Sequence, residues 1–341
     1  MEMIKASHII PDYASIEESA LYVIEHMESN FTEMMQQIGI EELHSVEETG
    51  LVLESEDESE KKVNKIIEWL KSIWAGIKGL YEKALNGIKK HIETLNDKIS
   101  SKIKNNLQKA ADNLKEDAKF GEGFEWKRYT DVINGSDSIW TAIEAFGKKA
   151  ENMKYQPNEY SASATKSFVN DAKDAMFGAM KIDGITAENA TGKISEAIKG
   201  DKITIDKAYV KANFADLYTA AFDYSKTAGS LKKSINTIKK SFDQSINTVK
   251  GWKNKSNKSI VKEQISAIKD AKKMYVCLSS SVVSCLAQRH NEAARVMLKI
   301  ALAVKAKEEK EAKAKDAESA KHESTIVPAS FQTELTSLFD F

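Results

Sequence analysis

Apolar residues recur every three or four positions from about residue 59 to residue 118, and the positions between them are mostly polar or charged. This spacing is typical of one face of an α-helix. It predicts one long amphipathic helix, or two nearly collinear ones, and a stripe of this length requires other helices to cover it. The stripe comprises Val63, Ile66, Ile67, Leu70, Ile73, Trp74, Ile77, Leu80, Tyr81, Leu85, Ile88, Ile92, Leu95, Ile99, Ile103, Leu107 and Leu114.

The pattern changes after residue 119, where glycines and aromatic side chains become frequent. We expect a turn region here, followed by short helices up to Gly200. The segment "KITI" before Asp206 has the composition of a strand, but the sequence around it offers no strand to pair with.

Helical periodicity resumes near Asp206 and continues to about Lys307. It contains a short repeat, "SINTIK" at 234–239 and "SINTVK" at 245–250, whose eleven-residue period equals three helical turns. The uncharged stretch Met274–Gln288 is shorter than the roughly 20 residues of a membrane span, so we interpret it as a buried helix. Cys277 and Cys285, about 12 Å apart along such a helix, are too distant for a disulfide and are interpreted as small buried side chains.

These patterns predict an all-α protein, an elongated helical bundle or coiled-coil-like fold with one very long amphipathic helix and a small helical subdomain. Only three prolines interrupt the 341 residues, which favours long helices. No membrane segment is expected, and a homo-oligomer is compatible with the pattern. The predicted division is an acidic N-terminal segment (1–60), the long helix (61–119), the small helical subdomain (120–205), a helical bundle (206–307), and a charged linker with an amphipathic tail (308–341). The charged stretch after Val304 has the composition of either an Ala/Lys/Glu helix or a solvated linker.

Charge is distributed very unevenly along the chain. Residues 1–60 hold sixteen acidic residues and one basic residue, Lys5, for a net charge of −15, whereas the whole chain carries −1. The remaining residues therefore carry +14, and a nearly neutral total conceals two pieces of opposite sign. Within the acidic segment, Ser15–Gln37 has helical periodicity, and Glu41–Glu60 has nine acidic residues and no basic one. We expect Glu41–Glu60 to be extended and accessible to a protease.

No sequence motif indicates catalysis, a cofactor or a metal. The nearest match to a phosphate-binding loop, Ala187–Ser195, lacks the glycine and the Ser or Thr that the loop requires. The six histidines and two cysteines do not occur at metal-ligand spacing. We therefore expect a protein without enzymatic activity, cofactor or metal.

Contact with DNA is a hypothesis that the basic part of the chain supports. Lysine is far more frequent there than arginine, which occurs only at Arg128, Arg289 and Arg295. Lysine acts as a mobile point charge for phosphate, whereas base recognition favours the arginine fork. The expected contact is weak, independent of sequence and sensitive to salt. The alternative is that these lysines are ordinary solvent-exposed residues on helix surfaces and bind no ligand.

The C-terminal eighteen residues differ from the charged region before them. An apolar stripe follows Ser330, and serine is a residue type that often caps the N-terminus of a helix. The stripe consists of Phe331, Leu335, Leu338 and Phe339. This arrangement predicts a docking helix for a partner protein, or a helix that packs back on the core.

An acidic N-terminal piece, a lysine-rich helical body and an amphipathic tail together resemble the internal head proteins of large tailed bacteriophages. In that family the proteins are packed with scaffold inside the immature head, a phage protease trims acidic propeptides after glutamate, and the product stays with the DNA. The matching stretches are "LVLE" at 51–54, "SVE" at 45–47 and "GIEE" at 39–42. The resemblance implies a virion structural protein without a cofactor, located in the host cytoplasm before assembly and in the phage head interior afterwards. It also implies capsid or scaffold partners and processing after Glu54 or, as a second choice, Glu47.

Two other classes of protein remain alternatives. The first is a secreted helical pore-forming or effector protein, for which Met274–Gln288 is the only candidate hairpin. The second is an enzyme on a helical scaffold.

Overall fold

Helices account for 81% of the residues described by the structure, which is a computed structural model. It describes residues 56–151, 162–251 and 262–322. The elements in chain order are α1 (Glu56–Lys98), α2 (Ser101–Asp112), β1 (Lys119–Phe124), α3 (Tyr129–Ile133), α4 (Ser138–Glu151), α5 (Ala162–Met180), α6 (Ala190–Lys199), β2 (Lys202–Asp206), α7 (Lys207–Phe222), α8 (Tyr224–Gly251) and α9 (Lys262–His322). The predicted mostly helical class is thereby confirmed.

The apolar stripe predicted for 61–119 is divided between α1 and α2. Ile99 and Ser100 separate the two helices, and the Ser100 hydroxyl accepts a hydrogen bond from the Ile103 amide at 3.4 Å, which caps α2. The prediction of helix up to residue 119 is wrong, because α2 ends at Asp112 and a strand begins at Lys119. Most of the stripe is buried, so it forms part of the core as predicted.

Helix α1 begins at Glu56, five residues before the charge boundary at Lys61. The last residues of the predicted acidic segment (1–60) and of the predicted extended run Glu41–Glu60 therefore belong to the helix. This part of both predictions is wrong.

A small sheet was missed by the all-helical prediction for 120–205. Strands β1 and β2 pair antiparallel, with Glu122 opposite Thr204 and Phe124 opposite Lys202. The "KITI" segment thus has a partner, which lies about eighty residues earlier in the chain. Gly121, at φ +103°, lies within β1 where the register is irregular, a conformation that favours glycine.

Helix α9 lies at the centre of the packing. It contacts α1 to α7 and β1, and it meets α8 through Tyr275, whose ring centroid is 6.4 Å from that of Phe242. Most of the Met274–Gln288 stretch is buried within α9, as predicted, and both cysteines are buried and form no disulfide. The helix continues to His322, so 308–322 is helical, which is the first of the two alternatives for this charged stretch.

Buried apolar side chains form two clusters. The larger one joins α1, α4, α5, α6 and α8 to the first half of α9. The smaller one joins α2, both strands and α7 to Ala293–Ala301 of α9. In the described ranges, no helix has the length and apolar character needed to cross a membrane.

Candidate functional site

Helix α8 presents a row of lysines on its exposed side. Its 28 residues include a single acidic side chain, Asp243. The opposite side is core, where Leu231, Ile238 and Val249 are fully buried. The lysine face of α8 comprises the exposed residues Lys226, Lys232, Lys233, Lys239, Lys240 and Lys250.

The spacing within this face follows from the helical repeat. Lys226, Lys233 and Lys240 are seven residues apart, as are Lys232 and Lys239. Seven residues make nearly two turns and advance about 10.5 Å, so the ammonium groups follow one side of the helix. The eleven-residue repeat supports the same orientation, because its two serines, Ser234 and Ser245, both lie on the buried side.

The lysine face of α8 has little compensating negative charge. Asp243 pairs with Lys239 at 2.7 Å. Among the described residues, the ammonium groups of the other five lysines have no carboxylate oxygen within 4 Å, although the backbone amide of Lys226 donates to Asp223 at 3.0 Å. An exposed cluster of this kind attracts anions, and the attraction is screened by salt.

Helix α1 also exposes lysines, but they alternate with glutamates. Lys71 pairs with Glu68 at 2.8 Å. Lys78 pairs with Glu82 at 3.6 Å, and Lys89 pairs with Glu93 at 3.8 Å. Between Glu68 and Glu93, the exposed side of α1 is therefore lysine-rich but has a glutamate beside each of these three lysines.

The strongest polar cluster of the interior lies where the sheet meets α9. Glu292 is 5% exposed and accepts hydrogen bonds from Arg289 (Nη1, 2.7 Å), from the Trp126 indole (Nε1, 3.0 Å) and from the Phe124 amide (3.1 Å). Burial raises the pKa of Glu292, and the Arg289 charge and the Trp126 donor oppose that shift. Arg289 also donates to the Tyr209 hydroxyl at 3.2 Å.

This cluster fixes the backbone at the end of β1. Trp126 has φ +58°, an uncommon conformation for a tryptophan, and its side chain is held by Glu292. A Cβ added at Gly123 would lie 2.6 Å from Glu292 Oε2 and 2.6 Å from Ile205 Cδ1, so no larger residue fits without displacement. We interpret the cluster as structural, because each of its charges already has protein partners.

The three arginines of the chain are all engaged by protein groups. Arg128 donates to Asp137, Ser138 and the Met180 carbonyl, and Arg295 donates to the Glu122 carbonyl. Arg289 pairs with Glu292. The exposed lysine face of α8 therefore contains no guanidinium fork for reading bases.

Two histidines meet between α1, α7 and α9. His91 Nδ1 lies 2.8 Å from His290 Nε2, and His290 Nδ1 lies 2.8 Å from the Ala220 carbonyl oxygen. The carbonyl can only accept, so His290 carries its proton on Nδ1 and accepts from His91 at Nε2. Burial, with a smaller contribution from His91, lowers the pKa of His290 to about 4.

Lys272 is a fully buried lysine that joins α9 to α8. Its ammonium donates to the Ser241 hydroxyl at 2.9 Å and lies 4.7 Å from the Phe242 ring centroid. The ammonium also lies 5.2 Å from the Tyr275 ring centroid. Cation–π contacts of this geometry stabilise a desolvated ammonium.

The residues that the sequence singled out are not brought together in the described part of the chain. The processing candidates Glu47 and Glu54 and the docking residues Phe331, Leu335, Leu338 and Phe339 lie outside it. Among described residues, no group of three or more His, Cys, Asp or Glu side chains is placed to hold a metal. The sequence interpretation missed the lysine face of α8, although its seven-residue spacing is visible in the sequence.

Comparison with family models, curated proteins and solved structures gave no match to this chain.

Proposed function

We propose that this chain is a non-enzymatic structural protein of a phage virion, an internal head or core protein. Its basic body would lie against packaged DNA, and its acidic N-terminal segment would mask that body before assembly. The observation that carries the proposal is the lysine face of α8, where the ammonium groups of five of six exposed lysines have no carboxylate within 4 Å in the described part of the chain. The overall organisation of the chain resembles that of phage internal head proteins, and this resemblance is the reason for proposing the phage head as its location.

The chemistry of the face favours the nucleic-acid backbone as its ligand. Lysines that advance along one side of a helix can follow a row of phosphates without reading bases. The arginines, which would be better suited to guanine recognition, are engaged elsewhere. The expected contact is therefore electrostatic and without sequence preference.

The finer architecture is also part of the proposal. The 43 residues of α1 would measure about 64 Å if straight, at 1.5 Å per residue. We propose an elongated, coiled-coil-like bundle built on α1 and α9, with Phe331, Leu335, Leu338 and Phe339 docking to a capsid or scaffold protein.

Processing would change the charge of the protein. Cleavage after Glu54 would remove twelve acidic residues and Lys5 and shift the net charge from −1 to +10. Helix α1 begins at Glu56, so this cut would leave it whole. A protein that first avoids DNA and later lies against it would benefit from such a change.

Matched substitutions test the DNA contact. One full-length variant replaces Lys232, Lys233 and Lys240 with Gln, and the other replaces Lys71, Lys78 and Lys89 with Gln. Both lose three positive charges at exposed helix positions, but only the first loses lysines without nearby carboxylates. Each phosphate contact contributes about 0.9 to the slope of log K against log salt concentration. We therefore expect the loss of three lysines in the first variant to make this slope less steep by up to about 3.

Two outcomes of that titration would count against the proposal. Equal losses in the two variants would contradict a specific role of α8. Because the proposed masking weakens binding by the full chain, DNA contact would be contradicted by absence of duplex binding at low salt in the chain cut after Glu54, which keeps α1 whole.

Mass spectrometry of purified phage particles tests the setting and the processing. We expect the chain in the particle with a mature N-terminus between Thr49 and Lys61. An intact Met1 or Glu2 terminus in the particle would contradict processing, and absence from the particle would contradict the virion role.

A further inference from the structure

Helix α1 begins at the same end of the molecule at which α8 finishes. Trp74 on α1 packs against Phe242 on α8, with ring centroids 6.0 Å apart. The chain just before α8 lies beside the later part of α1, because the Ala220 carbonyl and His91 both bond to His290. The two helices are therefore antiparallel, and residues 1–55 join the described body beyond the C-terminal end of α8, by about 14 Å at 1.5 Å per residue.

The chain before α1 is long enough to follow the whole lysine face. The 28 residues of α8 span about 42 Å at 1.5 Å per residue. The fifteen residues 41–55 can reach about 50 Å when extended, at about 3.3 Å per residue.

The charges of these two pieces are complementary. Residues 41–55 contain five glutamates and neither lysine nor arginine, whereas the face holds six lysines beside one aspartate. The middle of the exposed side of α1 is a poorer match, because Glu68, Glu82 and Glu93 already pair with Lys71, Lys78 and Lys89. The glutamates are Glu41, Glu42, Glu47, Glu48 and Glu54.

We infer that residues 41–55 dock along the lysine face of α8 in the same chain. The face then has two alternative occupants, the chain's own acidic segment and a nucleic-acid backbone. The second occupant, and the masking role of the first, rest on the proposed function, whereas the contact between residues 41–55 and the face can be tested without it. Each exposed ion pair contributes little alone, but the tether gives the segment a high effective concentration at the face.

The tether also sets the order of the contacts. Glu54 lies two residues before α1 and can reach only the end of the face near Lys250. Glu41 and Glu42 are the glutamates of this stretch with the longest reach, toward Lys232 and Lys233. The order of contacts is therefore opposite in direction to the sequence of α8.

Zero-length carbodiimide crosslinking of the full-length protein, which joins carboxylates to amines in contact, tests this docking. At about 20 mM salt we expect crosslinks from Glu41, Glu42, Glu47 or Glu48 to Lys232, Lys233 or Lys240, and we expect them to disappear at about 500 mM salt because of screening. The matched control is the set Lys71, Lys78 and Lys89, which should crosslink to glutamates of α1.

Three results of the crosslinking would overturn the inference. The first is equal crosslinking of the acidic segment to the α1 and α8 lysines. The second is no crosslink to α8 at low salt. The third is a crosslink that joins isotopically light and heavy chains in a mixed sample, because the occupant would then be a second copy.

A full-length variant with all five glutamates changed to Gln separates the docking from the proposed function. We expect acetylation of Lys232, Lys233 and Lys240 to become several-fold faster than in the unsubstituted chain, with no change at Lys71, Lys78 and Lys89. Faster acetylation in a protein that binds no duplex would support docking and contradict the proposed DNA contact. Duplex binding through α8 with unchanged acetylation would overturn docking and leave the DNA contact standing.

Discussion

Helices α1 and α8 pack against each other and look alike in composition, yet their outer faces differ. Both bury an apolar stripe and expose several lysines. On α1, Lys71, Lys78 and Lys89 each have a glutamate within 4 Å on the same helix. On α8, only Lys239 has such a partner among the described residues.

The difference shows that lysine content alone does not define an anion-binding surface. A lysine with a glutamate three or four residues away contributes to helix stability and little to the outer field. A lysine without one leaves its charge available to an external anion. The two helices therefore share a role inside the core and differ in their role at the surface.

The largest expected effect concerns the inner faces, where α1 and α8 should behave alike. Ile77 on α1 and Ile238 on α8 are both fully buried. We expect Ile77→Asp and Ile238→Asp each to lower the free energy of unfolding by several kcal/mol, because an unpaired carboxylate would be buried. Leu95→Asp, at another buried position of α1, should do the same. Thermal unfolding followed by circular dichroism measures the change.

Asn86→Asp on the exposed side of α1 is the matched control for these substitutions. It introduces the same side chain without burial and should leave the melting temperature almost unchanged. Unchanged melting of Ile77→Asp would show that the α1 stripe is not core.

A second difference between the two helices is a titratable contact. Helix α1 carries His91, which bonds to the buried His290, whereas α8 contains no histidine. The pKa of His290 is lowered to about 4 from its ordinary value of 6.5, so between these values the unfolded chain binds a proton that the folded chain does not. Stability should be unaffected above pH 6.5 and should fall by about 3 kcal/mol as the pH decreases toward 4.

The variant His290→Gln isolates this contribution. Its amide can donate to the Ala220 carbonyl and accept from His91, and it does not titrate. Urea unfolding at several pH values should give a smaller loss of stability for the variant than for the unsubstituted protein. Identical pH dependence of the two would contradict the assignment.

The smallest expected effect concerns the outer ion pairs themselves. Glu82→Gln removes the partner of Lys78 and should lower stability by about 0.3 kcal/mol, as for other exposed helix pairs. Lys240→Gln on α8 breaks no ion pair among the described residues and should cost less. Urea unfolding at low salt compares them, and a larger loss for Lys240→Gln would reverse the proposed contrast.

The helical part of the fold could be predicted from sequence because its signal is local. The three-to-four-residue recurrence of apolar residues located the α1 stripe and the core segment of α9. The pairing of the two strands could not be predicted in this way, because β1 contains two glycines and pairs with residues about eighty positions away. Pairing over such a distance leaves no mark in a short window of sequence.

The buried polar contacts were hidden for a related reason. Arg289 and Glu292 have the spacing of an exposed helix pair, and only the Trp126 indole and the Phe124 amide make their burial favourable. His91 and His290 are 199 residues apart. The lysine face of α8 was visible in sequence as a spacing, but its lack of nearby carboxylates required the structure.

The central position of α9 has a consequence for how the protein is made. Helix α9 contacts every other helix of the described chain, yet it follows all of them in sequence. At about 5 to 20 residues per second, a ribosome completes α9 roughly 10 to 50 s after the α1 stripe emerges. During that interval the part of the α1 stripe that packs against α9, which includes buried residues such as Ile77, is not yet covered. Apolar surface of newly made chains would therefore be exposed, and we expect chaperones to bind it until α9 emerges.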